Sequence, residues 1–358
     1  PHDNSDYILS CCFDQRRYHQ GNGDMWPITW GLDGNLYGAA GDNRLSPMNF
    51  WRIRGEPDLT RKSHQNDWFL DLVDNFPLDP VTYCREDDVD PFMGIKPAGL
   101  LDVEGLLYFA VEFQNYGWNE TFKRQENVRG HIITSWDYGK TWNHNATPLD
   151  FFKGRLSSCH FVQYGAGYRD APKDYVYAVF PVADDGRSYW ENGDALILGR
   201  VPKHRIIDRK YWEFYVGKDE DGQPVWNADD ADAVEIFRYP LMCGEDHLSY
   251  NKALDRYILG NYSFVDDNCV PRPNHQGTWP DSAYRSQLTL FESKTLFGPW
   301  KKFYQDDDWG TYGDYQPFFP PKWMYRDGKT MFMVSSGTYD DYNFTVQRCD
   351  LTVDESKK

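Results

Sequence analysis

Long hydrophobic runs are missing from this sequence. No stretch approaches the ~18 consecutive apolar residues of a membrane-spanning helix, so no membrane partner is expected. Positive charge is scarce as well: 38 Lys and Arg stand against 55 Asp and Glu, a formal net charge of −17. Phosphate recognition needs clustered cations, and nucleic acid is therefore excluded as a partner. The seven cysteines (Cys11, Cys12, Cys84, Cys159, Cys243, Cys269 and Cys349) form no C-x-x-C pair and no Cys/His spacing of a zinc site. No G-x-S-x-G elbow, P-loop or dinucleotide fingerprint occurs, so no organic cofactor is expected. Linkers and low-complexity tracts are also missing, and residues 1–358 read as one domain.

What the chain has in excess is aromatic residues: 14 Trp, 25 Tyr and 22 Phe make up 17% of it. That mix favours strands and flat ligand platforms over helix bundles. Four N-x-S/T sequons, at Asn119, Asn145, Asn261 and Asn343, fit a secreted, extracellular glycoprotein, as does a start at Pro1 without a charged-then-apolar leader. An odd cysteine count leaves the pairing open. A bridge from Cys11 or Cys12 to Cys349 is available if the termini meet, and Cys159 and Cys243 read as small buried residues.

Internal repetition decides the fold class. Five times the chain runs strand, tight polar turn, aromatic-rich strand, with turns at Asp33, Glu104, Lys173, Asp255 and Asp327, spaced by 71, 69, 82 and 72 residues. WD40 blades repeat at ~40–45 residues and kelch blades at ~50, so this period is too long for either. SWDYGKTW at 135–142 matches an Asp-box, S-x-D-x-G-x-T-W, and SKTLFGPW at 293–300 fills the same slot in the fourth repeat. Pro27, Pro97 and Pro317 fall in the first strand of their repeats, where a free edge beside a central channel tolerates proline. An all-β, five-bladed β-propeller follows, a monomer in which DYILSCCF pairs with FTVQRCDLTV to close the ring. The acidic segment 204–236 lengthens the third repeat as an outer hairpin.

The stretch GDMWPITWGLDGNLYGAAGDN, residues 23–43, reads as a hairpin on a two-residue Asp33-Gly34 turn. Partners summing to about 67 place Asp24 nearly opposite Asp42 at its open end. Corresponding first strands of a propeller meet at one mouth of the channel. That gathers Asp24, Asp42, Glu245, Asp314, Lys96 and His160, with Trp26, Trp30, Tyr315 and Trp309 close by. Such a ring suits glycosidic bond cleavage: one carboxylic acid protonates the leaving oxygen, and a second carboxylate activates water or attacks the anomeric carbon. A third acid raises a neighbour's pKa. Carboxylates and water leave room for a structural calcium ion in the channel.

The GDMWPITW opening, the Asp-box, the GPW turn and the closing PPKWMYRDGKTMFMVSSG resemble secreted five-bladed propeller proteins related to the endo-D-arabinanase-type glycoside hydrolases. The resemblance spans most of the chain and is most specific in the first and last repeats. It implies that Asp24 and Asp42 are the catalytic carboxylates; a looser likeness to the wider five-bladed hydrolases (arabinanases and fructosidases) implies Glu245 as a third acid. The wider five-bladed hydrolases carry an Asp in the second blade and a Glu in the third, where Lys96 and His160 stand here.

The sequence thus reads as a secreted glycoside hydrolase acting on an oligo- or polysaccharide. Asp24, Asp42 and Glu245 are the catalytic candidates, and Trp26, Lys96, His160, Asp314 and Tyr315 the substrate contacts. Two other readings stand beside it. A polysaccharide lyase would use His160 with Tyr315 as base and Lys96 or Arg17 to neutralise a uronate. A carbohydrate-binding propeller would repeat one aromatic site in every blade, whereas the mouth residues here differ from blade to blade.

Overall fold

The fold is described from a computed structural model covering residues 2–42, 46–57, 68–75, 77–78, 93–118, 125–272, 285–310, 314–336 and 342–358. Cys84 and the Asn119 sequon lie outside these residues. The first strand, β1 (Ile8–Gln20), belongs to the last sheet. Sheet one runs β2 (Asp24–Trp30), β3 (Leu36–Gly41), β4 (Met48–Gly55), β5 (Trp68–Asp74) from inside out. Sheet two comprises β6 (Met93–Val103), β7 (Leu106–Trp118) and β8 (Gln125–Ser135), with β9 (Phe152–Lys153) on its edge. Sheet three begins with β10 (His160–Phe161) and β11 (Tyr175–Val182). The short β12 (Ser188–Tyr189) crosses back to pair with β8, and β13 (Gly193–Pro202) resumes sheet three. The 204–236 segment supplies the expected hairpin, β14 (Glu213–Lys218) and β15 (Pro224–Asn227), before β16 (Glu235–Cys243) pairs with β13.

Sheet four is a four-stranded meander of β17 (His247–Asn251), β18 (Arg256–Phe264), β19 (Ser286–Ser293) and β20 (Lys301–Trp309). Sheet five runs β21 (Tyr315–Phe318), β22 (Thr330–Ser336), β23 (Phe344–Val353) and then β1, with Ile8 opposite Val353 and Gln20 opposite Phe344. The ring is closed by hydrogen bonds between its two ends, as the sequence led one to expect. The innermost strands β2, β6, β10, β17 and β21 touch in that cyclic order and back to β2, which makes the five antiparallel sheets a five-bladed propeller.

Bulky apolar residues fill the gaps between blades. One cluster joins Trp26, Trp68, Trp323 and Phe344 between the fifth and first blades, and another sets Phe50 and Tyr37 of the first against Phe109 and Leu100 of the second. At Gly260 an added Cβ would lie 2.3 Å from the Pro317 carbonyl oxygen, so only glycine permits the fourth blade to meet the fifth there. The segment 135–142 forms a compact turn after β8: Ser135 Oγ donates to Asp137 Oδ1 (2.9 Å), and Thr141 Oγ1 donates to Asp137 Oδ2 (2.7 Å).

The prolines sit where an edge strand can spare a donor. Register shifts fall between Met25 and Ile28, Pro97 and Gly99, and Tyr315 and Phe318. Met25, Trp26 and Gln316 have φ of 75°, 49° and 53°. These are bulges of the innermost strands, each with a proline that could not have donated to a ladder. They re-aim the residues just ahead of them, which are the mouth residues.

Candidate active site

The first hairpin differs from its expected register. Gly31 N–H donates to Asn35 O (2.8 Å), so five residues rather than two connect β2 to β3. Thr29 pairs with Tyr37, and beyond the bulge Asp24 pairs with Gly41 rather than with Asp42. The extra offset reconciles the two carboxylates. Asp24 lies over the Cβ-less face of Gly41, where an added Cβ would sit 2.9 Å from Asp24 Oδ1. Asp42, with φ of 44°, turns its side chain toward solvent and pairs with Lys96.

Asp24 is only 5% exposed. Tyr315 O–H donates to its Oδ2 at 2.7 Å, and its Oδ1 has no hydrogen-bond partner among the described residues. Burial, reinforced by the nearby Asp42 charge, pushes its pKa up to about 6 against the pull of Lys96 and Tyr315. A carboxyl in that state holds a proton at mildly acidic pH, and the unpartnered oxygen is where a proton can be carried.

Residues distant in the chain meet in pairs. Lys96 on β6 reaches Asp42; Tyr315 on β21 reaches Asp24; Arg17 on β1 pairs with the buried Asp314 just ahead of β21. Glu245 lies ahead of β17 and is fully buried. Its Oε2 accepts from Gln316 Nε2 (2.6 Å), and its Oε1 accepts longer contacts from Ser158 Oγ and Asn127 Nδ2 (3.4 Å each). His160 Nε2 meets Ser158 Oγ at 2.7 Å, and burial keeps its ring well below its ordinary pKa. Adjacent residues on one bulge, Tyr315 and Gln316, thus hold Asp24 and Glu245.

Four sequence expectations need correction. Trp26 does not face the mouth: it is 1% exposed, donates its Nε1–H to Gly23 O, and packs edge-on against Phe344, so it is a core residue. Trp309 likewise belongs to the core between the fourth and fifth blades. The Asn261 side chain is buried and donates to Met242 O and Asp246 Oδ2, which leaves no room for a glycan. Asn343 is also buried, its Oδ1 accepting from Thr345 Oγ1 at 2.9 Å, whereas Asn145 is exposed. Cys11, Cys12 and Cys349 are free thiols, and Cys159 and Cys243 are buried as expected.

Sequence reasoning missed Glu112. It sits on β7 opposite Lys96, fully buried, with Gln114 Nε2 donating to its Oε1 at 2.9 Å. Gln114 in turn lies opposite Asn127 on β8. Lys96, Glu112, Gln114 and Asn127 form one buried polar stripe across the second blade. The signal was present in LLYFAVEFQ, where Glu112 and Gln114 interrupt a continuous run of buried apolar residues.

No family model matches the chain, and no curated protein matches it. Solved structures do. A candidate hydrolase of Bacteroides ovatus ATCC 8483 aligns over 93% of this chain and 87% of its own with a TM-score of 0.52 at 14% identity. The likeness is one of fold. Glycoside hydrolases stand among the other neighbours, at lower similarity. The GH43_1 enzyme from Xanthomonas citri complexed with xylotriose aligns over 93% and 90% (TM-score 0.46, 11% identity), and a thermostable family-43 glycoside hydrolase over 94% and 92% (0.43, 11%).

Proposed function

We propose that this propeller is a glycoside hydrolase acting on an oligo- or polysaccharide, with Asp24 as general acid and Asp42 as the second carboxylate. The observation that carries the reading is the Asp24 carboxyl: buried, anchored through one oxygen by Tyr315, unpartnered at the other, and raised to about 6 beside a second carboxylate. A leaving glycosidic oxygen needs such a proton donor, and the exposed Asp42, oriented by Lys96, is placed to act as base or nucleophile. Glu245 and Glu112 are buried carboxyls whose pKa values burial raises. The glycoside hydrolases among the fold neighbours support the same class of chemistry, and secretion is supported by the exposed Asn145 sequon. The lyase alternative is weakened by geometry, because both cations it needs are engaged by carboxylates, Arg17 by Asp314 and Lys96 by Asp42.

The test is a glycan panel read for both new reducing ends and unsaturated products. Hydrolysis by the wild-type protein, lost by roughly 100-fold or more in Asp24→Asn and in Asp42→Asn with folding intact, supports the assignment. Unsaturated products, or near-full activity in both variants, would overturn it.

A further inference from the structure

Opposite Lys96, which pairs with Asp42, begins a cluster that hydrolysis by the Asp24–Asp42 pair does not use. Glu112, His160 and Glu245 come from the second blade, the third blade and the entry to the fourth. One ligating atom from each lies within 4.8 Å of the other two. All three side chains are at most 1% exposed. Hydrogen-bond donors reach the cluster from outside: Gln114 to Glu112 Oε1, and Gln316 to Glu245 Oε2. The Glu112 and Glu245 carboxyls come within hydrogen-bonding reach of each other, and Ser158 reaches both. Two carboxylates brought together out of water demand positive charge between them, supplied by a proton or a metal ion.

The third member decides between these occupants. His160 is a buried imidazole, a side chain that ligates transition metals. Its Nε2 meets Ser158 Oγ, and its Nδ1 has no partner among the described residues. Two further buried oxygens, Asn127 Oδ1 and Gln316 Oε1, belong to side chains that already touch Glu245, and neither has a partner among the described residues. Lys96 faces Glu112 across the ladder, pairs with Asp42, and its charge also acts on Glu112. A common ion with bonds of about 2.0–2.2 Å holds its ligands roughly 3–4 Å apart, so small side-chain rotations close the observed triangle.

We propose that Glu112, His160 and Glu245 bind one first-row divalent cation, of the zinc or manganese type. An imidazole among the donors selects against calcium and magnesium, which prefer all-oxygen shells. The ion ties the second, third and fourth blades together at the mouth and neutralises the charge of the two glutamates.

The experiment needs no glycan, so its failure is separate from failure of the hydrolase reading. Protein stripped with a chelator is titrated with Zn2+, Mn2+ and Ca2+, following bound metal by equilibrium dialysis and Tm by calorimetry. One equivalent of Zn2+ or Mn2+ with a raised Tm is expected. Glu112→Gln and His160→Gln should each weaken binding roughly tenfold or more, while Cys12→Ser, which removes an exposed thiol, leaves it unchanged. If the cluster variants do not fold, Co2+ in the wild-type protein gives the second readout: visible bands of oxygen and nitrogen ligation without thiolate charge transfer. No bound ion, preference for Ca2+, undiminished binding in the folded cluster variants, or a thiolate spectrum would each overturn the proposal.

Discussion

The Asp24 carboxyl should cost this protein stability at neutral pH, and Asp24→Asn should recover it. The carboxyl is raised from 3.8 to about 6 in the folded state. A group whose native pKa lies above its unfolded value makes the native state bind more protons, so its penalty is absent below pH ~4, grows between pH ~4 and ~6, and is complete above. Roughly two pKa units correspond to about 3 kcal/mol. Asparagine is nearly isosteric, its Oδ1 can still accept from Tyr315, and its Nδ2 offers a donor on the side where Asp24 Oδ1 has no partner. Urea unfolding of both proteins should therefore show Asp24→Asn more stable by about 2–3 kcal/mol at pH 7.5, with the difference shrinking toward zero at pH 4. The other raised carboxyls, Asp102, Glu112, Glu245 and Asp246, are common to both proteins and cancel. An Asn variant that is less stable at pH 7.5, or a gap that does not change with pH, would refute the reasoning. It would also remove the physical basis for Asp24 as an acid.

Two further outcomes follow from the same geometry. Tyr315→Phe deletes the 2.7 Å hydrogen bond that favours ionised Asp24, so the Asp24 pKa should rise further, by about one unit. The basic limb of the kcat/KM profile on a cleaved glycan should then move to higher pH; an unmoved limb would disconnect Asp24 from proton donation. Arg256 and Glu292 form a 3.0 Å ion pair with 2% and 5% side-chain exposure. Arg256→Met should cost about 3–5 kcal/mol by stranding Glu292, and adding Glu292→Leu should return much of it, both read by urea denaturation.

The fold was legible because a propeller repeats its own grammar. Five turn-centred hairpins at similar spacing, and three prolines early in inner strands, need no tertiary information to be recognised. The site was legible only in outline. Asp24 and Asp42 stood out because a hairpin brings its two ends together, but their register depended on a five-residue connection and a bulge at Met25 and Trp26, neither of which composition reveals. Glu112 was missed because it lies on a second strand, between Val111 and Phe113, where a first-strand template does not look. Trp26 was misplaced because its left-handed backbone turns the ring into the gap between blades. The Asn261 and Asn343 sequons misled for a related reason: a three-residue pattern carries no record of burial, and both amides are spent inside the fold.

Blade five is also where the ring is fastened, since β1 is held there by β23. Arg17, which clasps Asp314, rides on the N-terminal strand, and Tyr315 and Gln316 follow directly in the same sheet. Fraying of that terminal strand would free Asp314 of its clasp and slacken the grip on Asp24 and Glu245, while the other four blades kept their cores. Activity would fade under mild stress well before the bulk of the structure registered any loss.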